Sequence, residues 1–457
     1  MEQSNFKVYS MECCEKISCP EEGRSCVPHT DLPRIVIVGG GFAGLNLIKG
    51  LKDMPVQIIL IDKNNFHQFL LLFYQVATSG IEPDNIIFPF RKMFNHYRNL
   101  VFRMAEALKI DSANNRLHTT LGYIDYDYLV LAGGSKTNFF ENQRFKDNGM
   151  GLKSITDALD IRSKLLQNLE KAAVNCTTEE KELFSSVVIV GGGPAGVETA
   201  GALAEFKKHI LPKDYPELKQ EDMNIYLVEA ADRLLGFMPE KLSEKTRQYL
   251  TGVGIDVWLN SPIKDYDGFN AYLENGKILK SSNFIWTAGV KGISVEGLPA
   301  DAVNRQNRIM VDAYNHVHSL PNVYVIGDLA LMQTTKYPNG HPLVAQVAIQ
   351  QGKNLAVNLW KMMNKEQLVP FEYRDKGSMA TIGRRKAVAS IQKMQFAGFF
   401  AWLIWSFIHL ISLMGVRNKI LVGINWLWNY LTYDRGNRLI IRKFEEKKKE
   451  EHFLFKN

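Results

Sequence analysis

The stretch RIVIVGGGFAGL at positions 34–45, followed by VQIILID ending at Asp62, constrains the fold more than any other part of the chain. Its order is a buried strand, a glycine turn, a helix start and a second strand closed by a carboxylate, the unit that holds the ADP half of a dinucleotide. Each residue type answers a physical demand. Gly39 permits the tight turn out of the strand, Gly41 lets backbone approach a pyrophosphate, and Gly44 allows close packing of helix on sheet. The helix start presents free N–H groups and a positive dipole end to phosphates. Asp62 stands near the spacing at which a carboxylate accepts hydrogen bonds from ribose hydroxyls.

The pattern returns 152 residues later. SVVIVGGGPAGVETAGALAEF supplies Gly191, Gly193 and Gly196 in the same strand–turn–helix context, and NIYLVEA brings a second acid, Glu229. The gap to Glu229 is longer than usual because a charged loop, 207–222, intervenes. Two such units predict two dinucleotide sites. A carboxylate at Glu229 pairs with ribose hydroxyls and repels a 2′-phosphate, so NADH is favoured over NADPH.

Between and after these units, apolar strands end in small-residue turns. YDYLVLAGG delivers Gly133, NFIWTAGV delivers Ala288 and Gly289, and NVYVIGDLA delivers Gly327 and Asp328 at the C-terminal edge of a strand, where open α/β sheets bind ligands. Asp328 there would accept hydrogen bonds from the ribityl hydroxyls of a flavin. A helix is expected around 88–97 and another over 156–169, with strands over 100–110 and 116–120.

At 457 residues, with 46% hydrophobic and 23% charged residues, the chain is globular and long enough for two or three domains. Its charge is unevenly placed. Ten Lys and Arg (Arg384, Arg385, Lys386, Lys393, Arg417, Lys419, Arg435, Arg438, Arg442, Lys443) fall between 384 and 443 beside one acid, Asp434, leaving 45 basic and 47 acidic residues elsewhere. That excludes a general nucleic-acid surface and points one end of the molecule at an anionic partner. Four of five cysteines, Cys13, Cys14, Cys19 and Cys26, lie in the polar first 26 residues; their spacing matches no standard zinc pattern, and the segment lacks the order of a signal peptide. A loosely ordered reduced extension over 1–32 is expected, and no metal site.

The order GGGFAG…ID, AGG, GGGPAGVE…VE, TAG, IGD resembles the two-dinucleotide-binding-domain flavoproteins. Within them, HQFLLLFYQVAT, AQVAIQQG, KGSMATIGRRKAV and HLISLMGVRNK…RLIIR resemble the type II NADH dehydrogenases, single-subunit NADH:quinone oxidoreductases, from about Arg34 to Arg442. One departure is Leu71, where the family often has proline. The resemblance implies an α/β fold with an FAD domain (33–150 and 296–383) interrupted by an NADH domain (151–295), and a C-terminal amphipathic helical membrane anchor (384–457). It implies FAD held by Gly39, Gly41, Gly44, Asp62, Gly133, Asp328, Gln346 and Lys376, and NADH held by Gly191, Gly193, Gly196, Glu198, Glu229, Ala288 and Gly289. Met379 is expected near the isoalloxazine. Hydride transfer needs nicotinamide C4 against flavin N5, so the protein supplies positioning and electrostatics. Glu198 is the carboxylate expected nearest that junction. Gln346 and Gln350, four apart on one helix face, are expected at a flavin edge or quinone carbonyl. The segment after Asp62 holds no cysteine, which excludes dithiol chemistry as the electron route.

The acceptor implied is a membrane quinone, reduced without proton pumping. Positions 396–414 carry no Asp, Glu, Lys or Arg over 19 residues, about 28 Å as helix. On a helical wheel Gln395, Gly398, Ser406, His409 and Ser412 gather on one side and Phe396, Phe399, Phe400, Leu403, Phe407, Leu410 and Met414 on the other, an asymmetry that a spanning helix does not need. Trp402, Trp405, Trp426 and Trp428 add interfacial aromatics. A monotopic anchor on an anionic lipid surface is expected, at the inner face of the cytoplasmic membrane and facing the cytoplasm, with His409 a hydrogen-bonded helix residue. A homodimer is implied by the family alone. The rival readings are a sulfide:quinone oxidoreductase, which would need cysteines beside the flavin, and a membrane-tethered FAD/NADH redox sensor without quinone turnover.

Overall fold

The computed structural model describes residues 23–174, 177–293, 295–392, 394–433 and 436–445. Cys13, Cys14, Cys19, Cys176, Lys393, Asp434 and Arg435 lie outside them; Cys26 is exposed and free. The chain forms two compact units, Met1–His67, Phe88–Lys136 and Val290–Asp375 in one, and Gln68–Ile87, Thr137–Gly289 and Lys376–Asn457 in the other.

In the first unit, five parallel strands run in the order Val323–Val325, Tyr128–Leu131, Arg34–Val38, Gln57–Asp62, Leu100–Met104. The central strands are apolar on both faces because both are covered, and Val36, Ile59, Leu129 and Val325 are fully buried. The helix Phe42–Gly50 packs on the helix Ala345–Met363 at backbone contact distance. A Cβ at Gly352 would lie 2.3 Å from the Ala43 carbonyl oxygen. The expected strand over 100–110 is two, Leu100–Met104 and Ala107–Asp111, and the helix expected over 88–97 is the single turn Phe90–Met93.

The second unit repeats the plan. Its parallel order is Met150–Gly151, Asn283–Trp286, Val187–Val190, Ile225–Val228, Asp256–Trp258. The helix Pro194–His209 follows the second glycine turn, with proline at its first position, where no N–H is needed. Both units are thus the Rossmann-type α/β fold expected from the two glycine turns.

The C-terminal part corrects one expectation. Positions 396–414 are not one helix: Phe396, Ala397 and Gly398 close the strand Met394–Gly398, which pairs antiparallel with Ala387–Ile391. Gly398, at φ +83°, turns the chain into the helix Phe399–Ser412, and Gly415, at φ +77°, starts a second, Val416–Thr432. Ladder pairing outcompetes helical continuation before Gly398 because a positive φ suits glycine and interrupts a helix. Fourteen residues span only about 21 Å. Among the described residues no helix is long and apolar enough to cross a membrane.

These helices are two-sided, in the sense the wheel indicated. On the first, Ala401, Trp405 and His409 are buried, while Phe399, Phe400, Leu403, Phe407 and Ile411 are exposed, Phe400 by 71%. On the second, Asn418 donates to the Ile87 carbonyl at 3.1 Å, Asn425 to Glu82 Oε2 at 2.6 Å, Trp426 to Gln75 Oε1 at 2.8 Å and Asn429 to the Gly80 carbonyl at 3.0 Å. The opposite side leaves Val416, Ile420, Ile424, Leu427, Trp428 and Leu431 exposed.

Candidate functional site

In the first unit the glycine turn is built as its spacing demands. Gly39 has φ +103°, and a Cβ there would meet the Ala132 carbonyl oxygen at 2.4 Å; one at Gly44 would meet the Gly39 oxygen at 2.0 Å. Gly41 has nothing within 4 Å. Asp62, at the strand end, accepts N–H bonds from Gly40 and Asn64, both 2.8 Å. Burial pushes its pKa up, and the two N–H donors oppose that.

Asp328 accepts from Ser135 Oγ at 2.6 Å, and Gly327, at φ +78°, donates its N–H to Gln351 Oε1 at 2.7 Å. Gln351, fully buried beside the expected pair, therefore fixes the Gly-Asp turn; nothing in its spacing distinguished it from its neighbours. Gln346 holds a buried amide oxygen without a hydrogen-bond partner among the described residues. Gln350 instead exchanges two bonds with the Arg374 backbone, at 2.9 and 3.0 Å. Gly133 is open on one side, its ideal Cβ no closer than 3.8 Å to other atoms. His67 was not singled out by sequence. Its Nδ1 lies 2.9 Å from the Gly40 carbonyl and so carries the proton, while burial pushes its pKa down to about 4.

In the second unit Gly191 has φ +111°, and a Cβ there would meet Ala288 N at 2.8 Å. A Cβ at Gly196 would meet the Gly191 oxygen at 1.9 Å, whereas Gly193 is open. Glu229 accepts the Gly192 N–H and, at 2.8 Å, that of Ala231. Ala288 and Gly289, the latter at φ +115°, form the turn beside Gly191. The structure thus gathers Gly191, Gly193, Gly196, Glu229 and Ala288 at one sheet edge.

Glu198, on the first turns of the Pro194–His209 helix, is only 7% exposed. Its Oε1 accepts from the Thr381 N–H at 3.3 Å and from Trp405 Nε1 at 3.2 Å. Burial pushes its pKa up to about 8 against these two donors. It lines a cavity of about 110 Å³ with Tyr74, Thr78, Trp402, Trp405, Trp426 and Arg384. Trp405 was expected only as an interfacial anchor; a tryptophan turned inward reads the same in sequence as one turned outward. Lys376 is exposed and Met379 half-buried. Among the described residues no group of three His, Cys, Asp or Glu could hold a metal.

The donor sets fit two dinucleotides, each with an open central glycine, a helix N-terminus and a carboxylate at the neighbouring strand end. A family model for pyridine nucleotide-disulphide oxidoreductases matches residues 33–352, and one for the NDH2 C-terminal domain matches 376–433. Two type II NADH:quinone oxidoreductases of Mycobacterium tuberculosis, NdhA and Ndh, are each 34% identical, covering 89% of this chain and 89% and 90% of theirs. The solved NDH2 of Plasmodium falciparum in complex with NADH superposes with a TM-score of 0.82 at 21% identity, covering 90% of this chain and 100% of that one. Fold, paired glycine turns and relatives agree: the chain belongs to the type II NADH:quinone oxidoreductases, within the pyridine nucleotide-disulphide oxidoreductase family.

Proposed function

We propose that this protein oxidises NADH and reduces a membrane quinone, with FAD as its cofactor. The observation that carries this reading is the doubled glycine turn, each copy with its own carboxylate and an open central glycine. FAD, when bound, supplies acceptance of hydride and its release as two electrons to the quinone. Asp62 and Glu229 would receive the ribose hydroxyls of FAD and NADH, and Asp328, held by Ser135, the ribityl chain. The buried oxygen of Gln346 supports a polar contact with the cofactor or quinone, Gln350 stiffens that helix against Arg374, and the family resemblance favours Lys376 and Gly133 as further FAD contacts. We assign 33–150 and 296–383 to FAD, 151–295 to NADH and 384–457 to anchoring.

The outer faces of the last two helices support a monotopic seat in one leaflet. The basic C-terminal segment favours anionic lipid at the inner face of the cytoplasmic membrane, and the family resemblance favours a homodimer. Replacing both Phe400 and Phe407 by Ser should weaken co-sedimentation with anionic vesicles by at least about a hundredfold, since each buried phenyl contributes roughly 1.5–3 kcal/mol. Unchanged sedimentation would sink the anchor assignment.

Glu229→Gln is expected to narrow the preference for NADH over NADPH about tenfold, as the repulsion of a 2′-phosphate is removed; steady-state kinetics with both cofactors read this. The function itself is tested by stopped-flow absorbance of the flavin-loaded protein mixed with NADH and then with a soluble quinone analogue. Bleaching followed by recovery much faster with quinone than with oxygen is expected. Bleaching without quinone-dependent recovery would instead indicate a redox sensor or a different electron acceptor.

A further inference from the structure

The helix Phe399–Ser412 has two faces with different neighbours. Its outer face is exposed aromatic and aliphatic surface; its inner face carries Trp405, whose indole N–H ends on Glu198, a residue from a distant part of the chain. Trp405 is held from several sides. The His409 ring stacks on it at 4.2 Å, its Nδ1 bonded to the Trp405 carbonyl at 2.8 Å, and Trp426 of the next helix lies 5.4 Å away, fixed in turn by Gln75. The indole therefore moves only with the helix pair. We propose that Trp405 is a positioning residue through which seating of this helix on a membrane sets the protonation of Glu198.

The surrounding charges leave that role to the indole. The other ionisable side chains lining the cavity are Glu205, Arg384, Tyr74, Tyr430 and Tyr433. Glu205 accepts the backbone N–H of Arg384, and the Arg384 guanidinium lies over the Tyr433 ring at 3.5 Å and the Tyr430 ring at 5.0 Å. His409, behind Trp405, is kept neutral by burial, its pKa pushed down to about 4. Of the two donors on Glu198, the Thr381 N–H belongs to the strand Ser378–Thr381, whereas the indole belongs to an element whose other face awaits a partner. A donor to the carboxylate favours its charged form, so a seated helix lowers the pH at which Glu198 gives up its proton and a displaced one raises it.

This coupling rests on reading the outer helix face as a membrane seat, and the test separates the two ideas. The infrared carbonyl band of the protonated acid, identified by its absence in Glu198→Gln, is titrated in flavin-loaded full-length protein with and without phosphatidylglycerol–phosphatidylcholine vesicles, while co-sedimentation is read on the same samples. Trp405→Phe is expected to raise the midpoint by about one pH unit relative to wild type on vesicles, and by less in solution. Vesicles are expected to lower the wild-type midpoint and leave that of Trp405→Phe unmoved although both sediment. Benzothienylalanine at position 405, which keeps the ring shape and lacks the N–H, should behave as Trp405→Phe does and guards against a simple packing defect. A midpoint unaffected by either replacement, or a wild-type midpoint unaffected by vesicles that do bind, overturns the coupling. Failure to sediment overturns the membrane seat itself, and the coupling with it.

Discussion

Raising the pH from 5 to 8 is expected to remove on the order of 3 kcal/mol of folding stability through Glu198, and Glu198→Gln should abolish that slope. The sign follows from the carboxyl's displaced titration. In the unfolded chain it ionises near 4.5, the ordinary value for a glutamate; in the folded protein burial pushes it up to about 8. Between those values the folded state binds a proton that the unfolded state does not, so each increment of pH favours unfolding until the folded pKa is passed. Below about pH 4 both states are protonated and the contribution is constant. Urea titrations of the flavin-loaded wild type and Glu198→Gln at several pH values measure the difference, and parallel pH dependences would show that Glu198 is ionised at neutral pH after all. The raised proton affinity also suits chemistry: reducing a quinone with NADH consumes one proton from solution, and an acid titrating near neutrality both holds and releases one.

The second large effect separates packing from binding within one turn. Gly196→Ala should cost about 3 kcal/mol or prevent folding, because its Cβ would lie 1.9 Å from the Gly191 carbonyl oxygen, a backbone atom, and 2.9 Å from Thr287 Oγ1. Gly193→Ala, three residues earlier, meets no atom within 4 Å. It should leave the thermal midpoint unchanged while weakening NADH about tenfold, a loss of about 1.4 kcal/mol. Differential scanning fluorimetry with and without NADH reads both quantities. Equal destabilisation by the two variants would mean that the open space at Gly193 is structural rather than reserved for ligand.

Much of this was legible in the sequence because the glycine turns are overdetermined. Gly39 and Gly191 need positive φ, Gly44 and Gly196 need a missing Cβ, and Asp62 and Glu229 end the next strands. Local chemistry alone specifies such units. The C-terminal part was legible as amphipathic but not in detail. Period 3.6 sorts residues into faces without saying which face meets protein, so Trp405 and Trp426, turned inward, were indistinguishable from the exposed Trp428. A run free of charge likewise hid the strand-to-helix change at Gly398, since Phe396 and Ala397 suit either state. Gln351 was missed for a related reason: of the glutamines in AQVAIQQ, tertiary placement alone decides which reaches Gly327.

The inner face of Val416–Thr432 has a consequence for anyone wishing to handle this protein without detergent. Deleting the helix would remove the donors that Asn418 and Asn429 give to the Ile87 and Gly80 carbonyls, and would strip Gln75 and Glu82 of Trp426 and Asn425. The truncated surface would trade grease for frayed polar backbone beside the Glu198 cavity. Keeping the helix and exchanging only Ile420, Ile424, Leu427, Trp428 and Leu431 for Lys, Glu or Gln leaves every one of those donors in place. Solubility in this protein is a matter of repainting a wall, not of taking it down.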